Sequence, residues 1–512
     1  MRRERLEAEK PTVIARRGPG PLPVAVLYPA SYSEGMAALA LHVLLDLFNA
    51  APCAAERVFD FPEVADITRS LETASPLGDF ALVLVTVPFE LHCFTVARML
   101  EDGGVPALAA ERTEGDPVVI MGGPVVSANP APLAALTDLA YVGEVEAQIG
   151  TIRAALTSAL AQGGSREALI HELASVPGML HCAQWLAGEI EAPVRRQWGD
   201  VNEYVPRTVI LAPEAELSGR SLVEVARGCP HRCRFCLARR LYHPLRPRSP
   251  EVCASILDEL AQVADTVGLV APSFSDHPQA IGLLQLAGAR GLRPSVSSLR
   301  AESLLAQPEL AEVLVQGGQR TITLAPEAGT QHLRDVIGKP LTDEQLLEAA
   351  DLVARVGLPH LKLYFTIGLP GETDDDMAAI GDLLAAVRRR TPSLELSASV
   401  ACFVPKSHTP CEGEALADEE AVRYRSDLLR RLSGKVGVAI DVDSPRAARA
   451  QAAIARGGLE LGPLLPPLAH SRRPEAALLT AIKKTRQDAE DYVRSGAPDA
   501  PWTVIDLGCP PS

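Results

Sequence analysis

The sequence has 512 residues, of which 47% are hydrophobic and 22% are charged, a composition typical of a globular protein with two or three domains. Its formal net charge of −15 disfavours sequence-independent binding of nucleic acid, which requires a basic surface. The N-terminus is charged and lacks the apolar core of a secretory signal, and the most apolar segment, 36–55, is interrupted by polar residues. We therefore expect a cytoplasmic protein whose partners include neither a membrane nor a nucleic acid.

The first third of the chain alternates between apolar runs and helical patterns. Residues 1–20 are polar and end in alternating glycine and proline, so we expect a disordered lead-in there. The expected strands that follow lie at 24–29, 81–87, 118–124 and 139–144. Apolar strands separated by helices predict a parallel sheet covered on both faces, and we assign 21–164 to a doubly wound, Rossmann-like α/β domain.

Glycines directly follow two of these strands, at the edge where doubly wound sheets bind ligands. They are Gly122, Gly123 and Gly143. Their position indicates a cofactor-binding edge, but a tight turn would require glycine equally.

A second alternating series begins after an irregular stretch, 165–220, which we interpret as a linker. Its expected strands lie at 221–226, 267–271, 293–298, 320–325, 360–367 and 396–404. Six strand–helix units predict a partial (β/α)6 barrel over 221–411, with functional residues at the carboxyl ends of the strands. We expect the remainder, 412–512, to form a helical C-terminal segment.

Three of the ten cysteines cluster directly after the first barrel strand, in the pattern C-x3-C-x2-C formed by Cys229, Cys233 and Cys236. Thiolates this close in sequence converge on one metal centre. Three ligands leave one corner of a four-iron cube open, whereas a zinc site would need a fourth ligand. The candidates for that ligand are His231, His243 and Cys253. Isolated cysteines elsewhere are interpreted first as core residues.

This pattern, with the aromatic Phe235 before the last cysteine, resembles the signature of the radical S-adenosylmethionine (SAM) superfamily. The resemblance implies that the three cysteines hold a [4Fe–4S] cluster and that SAM chelates its fourth iron. It further implies reductive cleavage of SAM to methionine and a 5′-deoxyadenosyl radical, with electrons from a donor such as flavodoxin or ferredoxin. Phe235 would then lie against the adenine of SAM.

Segments at three later strand ends resemble the same superfamily. In 324–330 the resemblance makes Glu327 a SAM contact, and in 364–372 it places the backbone at Gly368 near the adenine. Ser297 or Arg300 would meet the SAM carboxylate or ribose. The Gly-Gly-Glu-Pro motif that often holds the SAM amino group is missing, and the nearest polar substitutes are Ser273, Ser275 and Asp276.

Motifs outside the barrel resemble an uncharacterised group of radical SAM proteins with an N-terminal cobalamin-binding-type domain. They lie at 28–36, 122–130, 143–144, 246–251, 403–410 and 501–508. Cobalamin domains with a histidine axial ligand carry Asp-x-His-x-x-Gly after the first strand. If Gly35 is that glycine, Ala30 and Tyr32 occupy the Asp and His positions, which excludes a histidine ligand there. Either cobalamin binds without a protein imidazole, or the domain keeps the fold and has lost the ligand.

The sequence thus predicts a radical SAM enzyme, with cobalamin-assisted methyl transfer if a corrin binds. It identifies neither a catalytic side chain nor the substrate, which is a small molecule or a macromolecule. Two alternatives stay open: a zinc- or cluster-stabilised binding protein without turnover, and a tRNA methylthiotransferase. The latter would need a second cluster, for which the available cysteines are Cys53, Cys93 and Cys182.

Overall fold

The structure, a computed structural model, describes residues 2–12, 20–61, 68–217 and 219–509. Contacts divide the chain into two compact units. Among the described residues, the first comprises those of Met1–Leu222, Ala453–Tyr492 and Gly496–Pro511, and the second comprises Val223–Ala452 and Val493–Ser495. The segment 412–512, which we expected to form one helical unit, is therefore divided between the two.

The first unit is built on a six-stranded sheet. Its strands are Leu22–Tyr28, Cys53–Phe59, Leu82–Thr86, Val118–Gly122, Leu139–Tyr141 and Met179–His181. The first five are parallel and the sixth is antiparallel. Across the sheet the second strand lies at one edge, followed by the first, third, fourth, fifth and sixth. The expected doubly wound α/β architecture is confirmed.

The strand order reverses between the first and third strands, which makes a topological switch point. In open α/β sheets, ligands bind outside the carboxyl ends of the strands at such a point. We call the loops that follow these two strands, residues 29–36 and 87–92, the switch-point edge.

Helices of this unit cover the sheet or continue the chain beyond it. They are Arg2–Ala8, Tyr32–Gly35, Leu39–Phe48, His92–Asp102, Pro124–Ala128, Ile149–Ala161, Arg166–Ala174, Cys182–Leu186, Leu465–Ala469, Pro474–Thr485 and most of Ala489–Ser495. Two short ribbons complete it: Lys10–Pro11 with Ile210–Leu211, and Val194–Arg195 with Ile505–Asp506.

Part of the expected linker belongs to this sheet domain. The strand Met179–His181 pairs with Leu139–Tyr141, and the Arg166 guanidinium lies 2.6 Å from the Asp138 carboxylate. Both contacts join residues far apart in sequence, so composition alone could not place them.

The strand Cys53–Phe59 was not expected because charged residues interrupt its apolar pattern. Both are buried with partners: Glu56 accepts hydrogen bonds from Ser70 and Thr73, and Arg57 forms ion pairs. A charge that is paired inside the protein can occupy a position that a sequence pattern assigns to the surface.

The N-terminal residues differ from the expected disordered lead-in, because a buried ion pair anchors them. Glu9 is 4% exposed, and its two oxygens lie 2.7 and 2.8 Å from the Arg57 guanidinium. Arg57 also contacts the Glu72 carboxylate at 2.7 Å, and the Tyr32 hydroxyl donates to Glu9 at 2.7 Å. The lead-in expectation also covered residues 13–19, which lie outside the described residues.

Replacing Glu9 with alanine is expected to destabilise the first unit by about 1.5–3 kcal/mol, because the buried Arg57 loses its charged hydrogen bonds to Glu9 and keeps only those to Glu72. Thermal unfolding should show a lower midpoint for E9A than for the wild-type protein. The matched control is E7A, which removes only the exposed ion pair with Arg3 and should have little effect. Equal midpoints for the two variants would contradict an anchoring role for Glu9.

The second unit is an open barrel of parallel strands. They are Arg220–Glu224, Thr266–Val270, Arg293–Ser295, Thr321–Glu327, His360–Ile367, Glu395–Cys402 and Ala439–Val442, the first of which begins in the first unit. They follow chain order in sheets of three and four strands, and a parallel bridge between Leu299 and Leu324 joins the two. The expected partial barrel is confirmed, and it has one strand more than expected.

The additional strand, Ala439–Val442, lies in the segment that we assigned to helices. It pairs in parallel with the preceding strand but has only four residues, none of them fully buried. A short, half-exposed edge strand does not need a run of apolar residues, so no hydrophobic pattern in the sequence predicts it.

Helices alternate with the barrel strands and follow the last of them. They are Leu237–Tyr242, Pro250–Leu260, Ala280–Gly288, Ala301–Ala306, Glu309–Gln316, Gln331–Val336, Asp343–Arg355, Asp374–Arg390, Glu419–Lys435 and most of Pro445–Ala455. Among the described helices of the whole chain, none has the length and apolar character needed to span a membrane.

Candidate functional site

The three clustered cysteines lie on a loop, 228–245, that is closed at its base. Ala226–Arg227 and Arg246–Pro247 pair antiparallel on either side of it, directly after the first barrel strand. Gly228 has φ +86°, and a Cβ atom there would lie 2.2 Å from the Pro244 carbonyl oxygen. Glycine is therefore required where the two ends of this cysteine loop meet.

The cysteine thiols are half-buried and close enough to influence one another. Burial raises the pKa of Cys229, and the neighbouring Cys236 and Cys233 thiolates raise it further. Burial likewise raises the pKa of Cys236, with contributions from Cys233 and Glu327. Raised pKa values at Cys229 and Cys236, on a loop that also carries Cys233, fit a site completed by a cationic metal centre, because thiolates are the ligands of iron–sulfur clusters.

Within the described ranges, no group of three His, Cys, Asp or Glu side chains is placed to hold one metal ion. A cubic cluster differs from a single ion because each thiolate binds a different iron. Of the residues considered as a fourth zinc ligand, His231 is bonded to Asp276 at 2.6 Å, and Cys253 is fully buried in the helix Pro250–Leu260.

The segment after the fourth barrel strand packs against the cysteine loop. The Arg234 amide donates to the Ile337 carbonyl at 2.9 Å, and a Cβ atom at Gly338 would lie 2.5 Å from the Arg232 carbonyl oxygen. Phe235 packs on a small apolar cluster that includes Leu369. The structure thus brings the cysteine loop, the fourth strand end and the fifth strand end together.

Glu327 ends the fourth strand in a strained conformation. Its φ is +69°, in the left-handed region, and the strand register shifts between Leu324 and Glu327. Its carboxylate is held by the Lys339 ammonium at 3.0 Å and the Thr366 hydroxyl at 3.0 Å. A non-glycine residue at this φ costs about 1–2 kcal/mol, and such strain concentrates at functional sites.

Two buried polar atoms, one after the second strand and one after the third, lack hydrogen-bond partners in the described parts of the chain. They are the Ser275 hydroxyl oxygen and the Arg300 Nε. The Arg300 guanidinium also contacts Glu302 at 2.6 Å. Burial lowers the pKa of Arg300, but Glu302 and the Cys233 thiolate raise it more, so its charge is retained. Unpaired buried polar atoms beside the cysteine loop fit a polar ligand such as SAM.

Asp276 and Ser297, two further residues that the sequence analysis considered, differ in their surroundings at these strand ends. Burial alone would raise the pKa of Asp276, but hydrogen bonds from His231 and Ser273 hold it below its usual range. Ser297 is exposed after the third strand. The substitutes for the missing Gly-Gly-Glu-Pro motif therefore differ: Asp276 is engaged within the protein, whereas Ser275 is not.

Gly368 lies at the fifth strand end with φ +82°, and its amide donates to the Glu372 carboxylate at 2.7 Å. Burial raises the pKa of Glu372 to about 7, although the Gly368 amide and the Arg425 guanidinium oppose this shift.

The raised pKa of Glu372 predicts a pH dependence of stability. In an unfolded chain a glutamate has a pKa of about 4.3, so between this value and about 7 the folded protein binds the additional proton. Stability should therefore fall as the pH rises through this range and level off above it. E372Q is expected to remove up to about 3 kcal/mol of this dependence.

The measurement is the thermal midpoint of wild-type, E372Q and E395Q proteins between pH 4 and about pH 8, a range set by the two pKa values. Glu395 is exposed and serves as the control. The same pH dependence in all three proteins would contradict a raised pKa at Glu372.

Packing within the protein explains two of the glycines singled out in the first unit. Gly143 has φ +118°, and a Cβ atom there would lie 2.2 Å from the Gln197 carbonyl oxygen. Gly123 has φ +95° and lies against Thr86 and Val87. Gly122 has no contact of this kind. Close approach of the backbone is thus sufficient reason for glycine at positions 143 and 123.

The switch-point edge presents one functional group that the sequence analysis missed, His92. The His92 Nδ1 is buried without a hydrogen-bond partner in the described residues, and the Phe89 ring lies edge-on at 5.7 Å. Burial lowers the pKa of His92, although the carboxylates of Glu34, Glu90 and Asp60 oppose the shift. No motif marks this histidine, since only the fold places it at the edge.

The cysteines considered for a second cluster are dispersed in the first unit. Cys53 begins a strand, Cys93 lies in the helix His92–Asp102, and Cys182 begins another helix. All three are at most 1% exposed, and burial raises the pKa of each thiol. These are the properties of core cysteines.

Fold and site together define a barrel enzyme with a three-thiol cofactor loop after its first strand. Residues 223–384 match the family model of the radical SAM superfamily, and residues 40–180 match the model for the N-terminal region of radical SAM proteins. The chain belongs to the radical SAM superfamily and is a radical SAM enzyme, a class whose cofactors are a [4Fe–4S] cluster and SAM.

Three known proteins show how far the similarity extends. Uncharacterized protein MJ0966 of Methanocaldococcus jannaschii is 27% identical over 467 residues, which are 90% of this chain and 94% of that protein. The ribosomal protein uS12 methylthiotransferase RimO of Desulfotalea psychrophila is 30% identical over 180 residues, 32% of this chain and 40% of RimO. Two structures of OxsB, a cobalamin-dependent SAM radical enzyme, match 92% of this chain and 72% of theirs at 14% identity, with TM-scores of 0.50 and 0.51. At that identity the likeness to OxsB shows the fold alone.

Proposed function

We propose that Cys229, Cys233 and Cys236 hold a [4Fe–4S] cluster and that the enzyme cleaves SAM reductively for radical chemistry on its substrate. The observation that carries the proposal is the convergence of three strand ends on the cysteine loop, with unpaired polar groups beside it. When bound and reduced, the cluster supplies the electron that cleaves SAM to methionine and a 5′-deoxyadenosyl radical.

The side chains around the loop have separate tasks in this proposal. Ser275 and Arg300 offer unpaired polar atoms to the amino and carboxylate groups of SAM. Phe235, seated against Leu369, supports the adenine beside the Gly368 turn. Glu327 contacts SAM from a carboxylate that Lys339 and Thr366 hold in place. Orienting SAM and excluding water are the protein's contributions, since the bond cleavage belongs to the cofactors.

The test is anaerobic reconstitution with iron and sulfide, followed by reduction with dithionite or with flavodoxin or ferredoxin as electron donor. We expect a brown protein that forms 5′-deoxyadenosine from SAM and whose cluster EPR signal shifts when SAM is added. A colourless protein that contains zinc, or a cluster whose EPR signal SAM does not change, would favour the binding protein without turnover.

We further propose that the first unit binds cobalamin and that the reaction is a methyl transfer. Its sheet has the second-first-third strand order with a switch point at which cofactors bind, and OxsB, similar in fold over 92% of this chain, is a cobalamin-dependent enzyme. The unpaired His92 Nδ1 at the switch-point edge fits a ligand there. Bound cobalamin would supply the methyl group.

Cobalamin binding is tested by purifying the protein from cells grown with added hydroxocobalamin. We expect a corrin absorption spectrum that persists through gel filtration, at about one corrin for each chain. Absence of corrin after purification and after incubation with excess hydroxocobalamin would contradict cobalamin binding, and it would leave reductive SAM cleavage to its own test.

A further inference from the structure

The imidazole of His92 lies where the carboxyl ends of three neighbouring strands meet. His92 is the first residue of the helix His92–Asp102, which follows the third strand. Three carboxylates are close enough to affect it electrostatically: Glu34 after the first strand, Asp60 after the second and Glu90 near the end of the third. The side chain therefore occupies the crevice that the switch-point rule assigns to ligands.

One feature of this position is costly unless a ligand uses it, and a second offers an apolar surface. The buried Nδ1 of His92 has no hydrogen bond in the described parts of the chain, and an unsatisfied buried polar atom costs about 1–3 kcal/mol. The neighbouring Phe89 ring is 38% exposed, so an apolar face stands beside the imidazole. A flat, largely apolar ligand with a metal centre would cover the Phe89 ring and bind an imidazole nitrogen of His92.

The first-strand loop cannot provide a comparable ligand. Tyr32, in the position of the motif histidine, is 2% exposed and donates its hydroxyl to Glu9 at 2.7 Å. Its ring packs edge-on against Phe59 at 5.2 Å. Tyr32 is thus committed to the core, whereas His92, on the neighbouring loop of the same edge, is not.

We propose that His92 supplies the protein ligand to the cobalt of bound cobalamin, from the loop after the third strand instead of the first. This inference rests on the proposed cobalamin binding. Imidazole nitrogen is a common ligand of first-row transition-metal ions.

The experiment uses the full-length protein loaded with cob(II)inamide, a corrin that lacks the nucleotide base and so brings no nitrogen ligand of its own below the ring. In the wild-type protein, we expect EPR to show each cobalt hyperfine line split into a triplet by one axial ¹⁴N nucleus. Protein grown with ¹⁵N-labelled histidine should show doublets instead, which assigns the nitrogen to a histidine without any substitution.

The assignment to His92 comes from H92A and H92Q, which should bind the corrin but lose the splitting. The matched control, H171A, changes an exposed histidine on the helix Arg166–Ala174 of the same unit and should keep it. Thermal unfolding and iron content verify that each variant is folded. The ¹⁵N experiment uses the wild-type protein, so its result holds even if H92A does not fold.

Three outcomes are distinguishable. Loss of the splitting in H92Q, with the ¹⁵N doublet in the wild-type protein, supports the inference. Corrin bound without nitrogen splitting, or with splitting that survives H92Q, overturns it and leaves cobalamin binding intact. A wild-type protein that binds no corrin overturns both, while reductive SAM cleavage is judged by its separate test.

Discussion

Replacing Cys233 with alanine is expected to abolish reductive SAM cleavage. Removing one of three thiolates leaves a cube with two protein ligands, and an iron–sulfur cluster requires its cysteine ligands to assemble. Cys229 and Cys236 should give the same result, because the three thiols lie on one closed loop beside one another. We expect iron content and visible absorption to fall to background and 5′-deoxyadenosine to be undetectable.

The matched control is Cys253→Ala, which removes a fully buried thiol from the helix Pro250–Leu260. This variant should keep its iron and its SAM cleavage, with at most a small loss of stability. Full activity in C233A, or loss of the cluster in C253A alone, would show that the ligands have been misassigned.

Replacing Glu327 is expected to weaken SAM binding by roughly 10–100-fold, the effect of losing a charged hydrogen bond of about 1.5–3 kcal/mol. Isothermal titration of the reconstituted protein with SAM measures this change. E327A and E327G should weaken binding equally, since both lack the carboxylate that Lys339 and Thr366 hold.

The stability of these two variants should differ, because Glu327 has φ +69°. Glycine accepts this conformation, whereas alanine keeps the strain of about 1–2 kcal/mol. The thermal midpoint of E327G should therefore exceed that of E327A, the reverse of the usual order in a strand. Glu348 is exposed on the helix Asp343–Arg355, and E348A is the control for both measurements. Unchanged SAM affinity in E327G would contradict a role for this carboxylate.

If E327G is more stable than E327A but binds SAM as weakly, the glutamate at position 327 is present for SAM binding and not for folding. A residue selected only for folding would be glycine at this φ. The carboxylate is held there by Lys339, itself 8% exposed, and by Thr366 from the neighbouring strand. Strain at a strand end, compensated by packing around it, is characteristic of a functional position.

Local signals determined much of this protein. The spacing of Cys229, Cys233 and Cys236, and the apolar runs that became strands in both units, are properties of short segments, so the sequence alone specified the α/β class and the radical SAM signature. Glu327 and Gly368 could be named in advance because each lies within a short motif at a strand end.

Tertiary structure decided what depends on residues distant in sequence. Glu9 is held by Arg57, 48 residues away, and the pairing of that charge allows Arg57 to be buried within its strand. The strand Ala439–Val442 exists because the barrel offers it an edge. His92 has no motif around it, and its significance arises where three loops meet and leave its Nδ1 unpaired. A pattern along the chain records what a segment prefers, whereas burial, pairing and the lack of a partner are settled only when distant segments pack together.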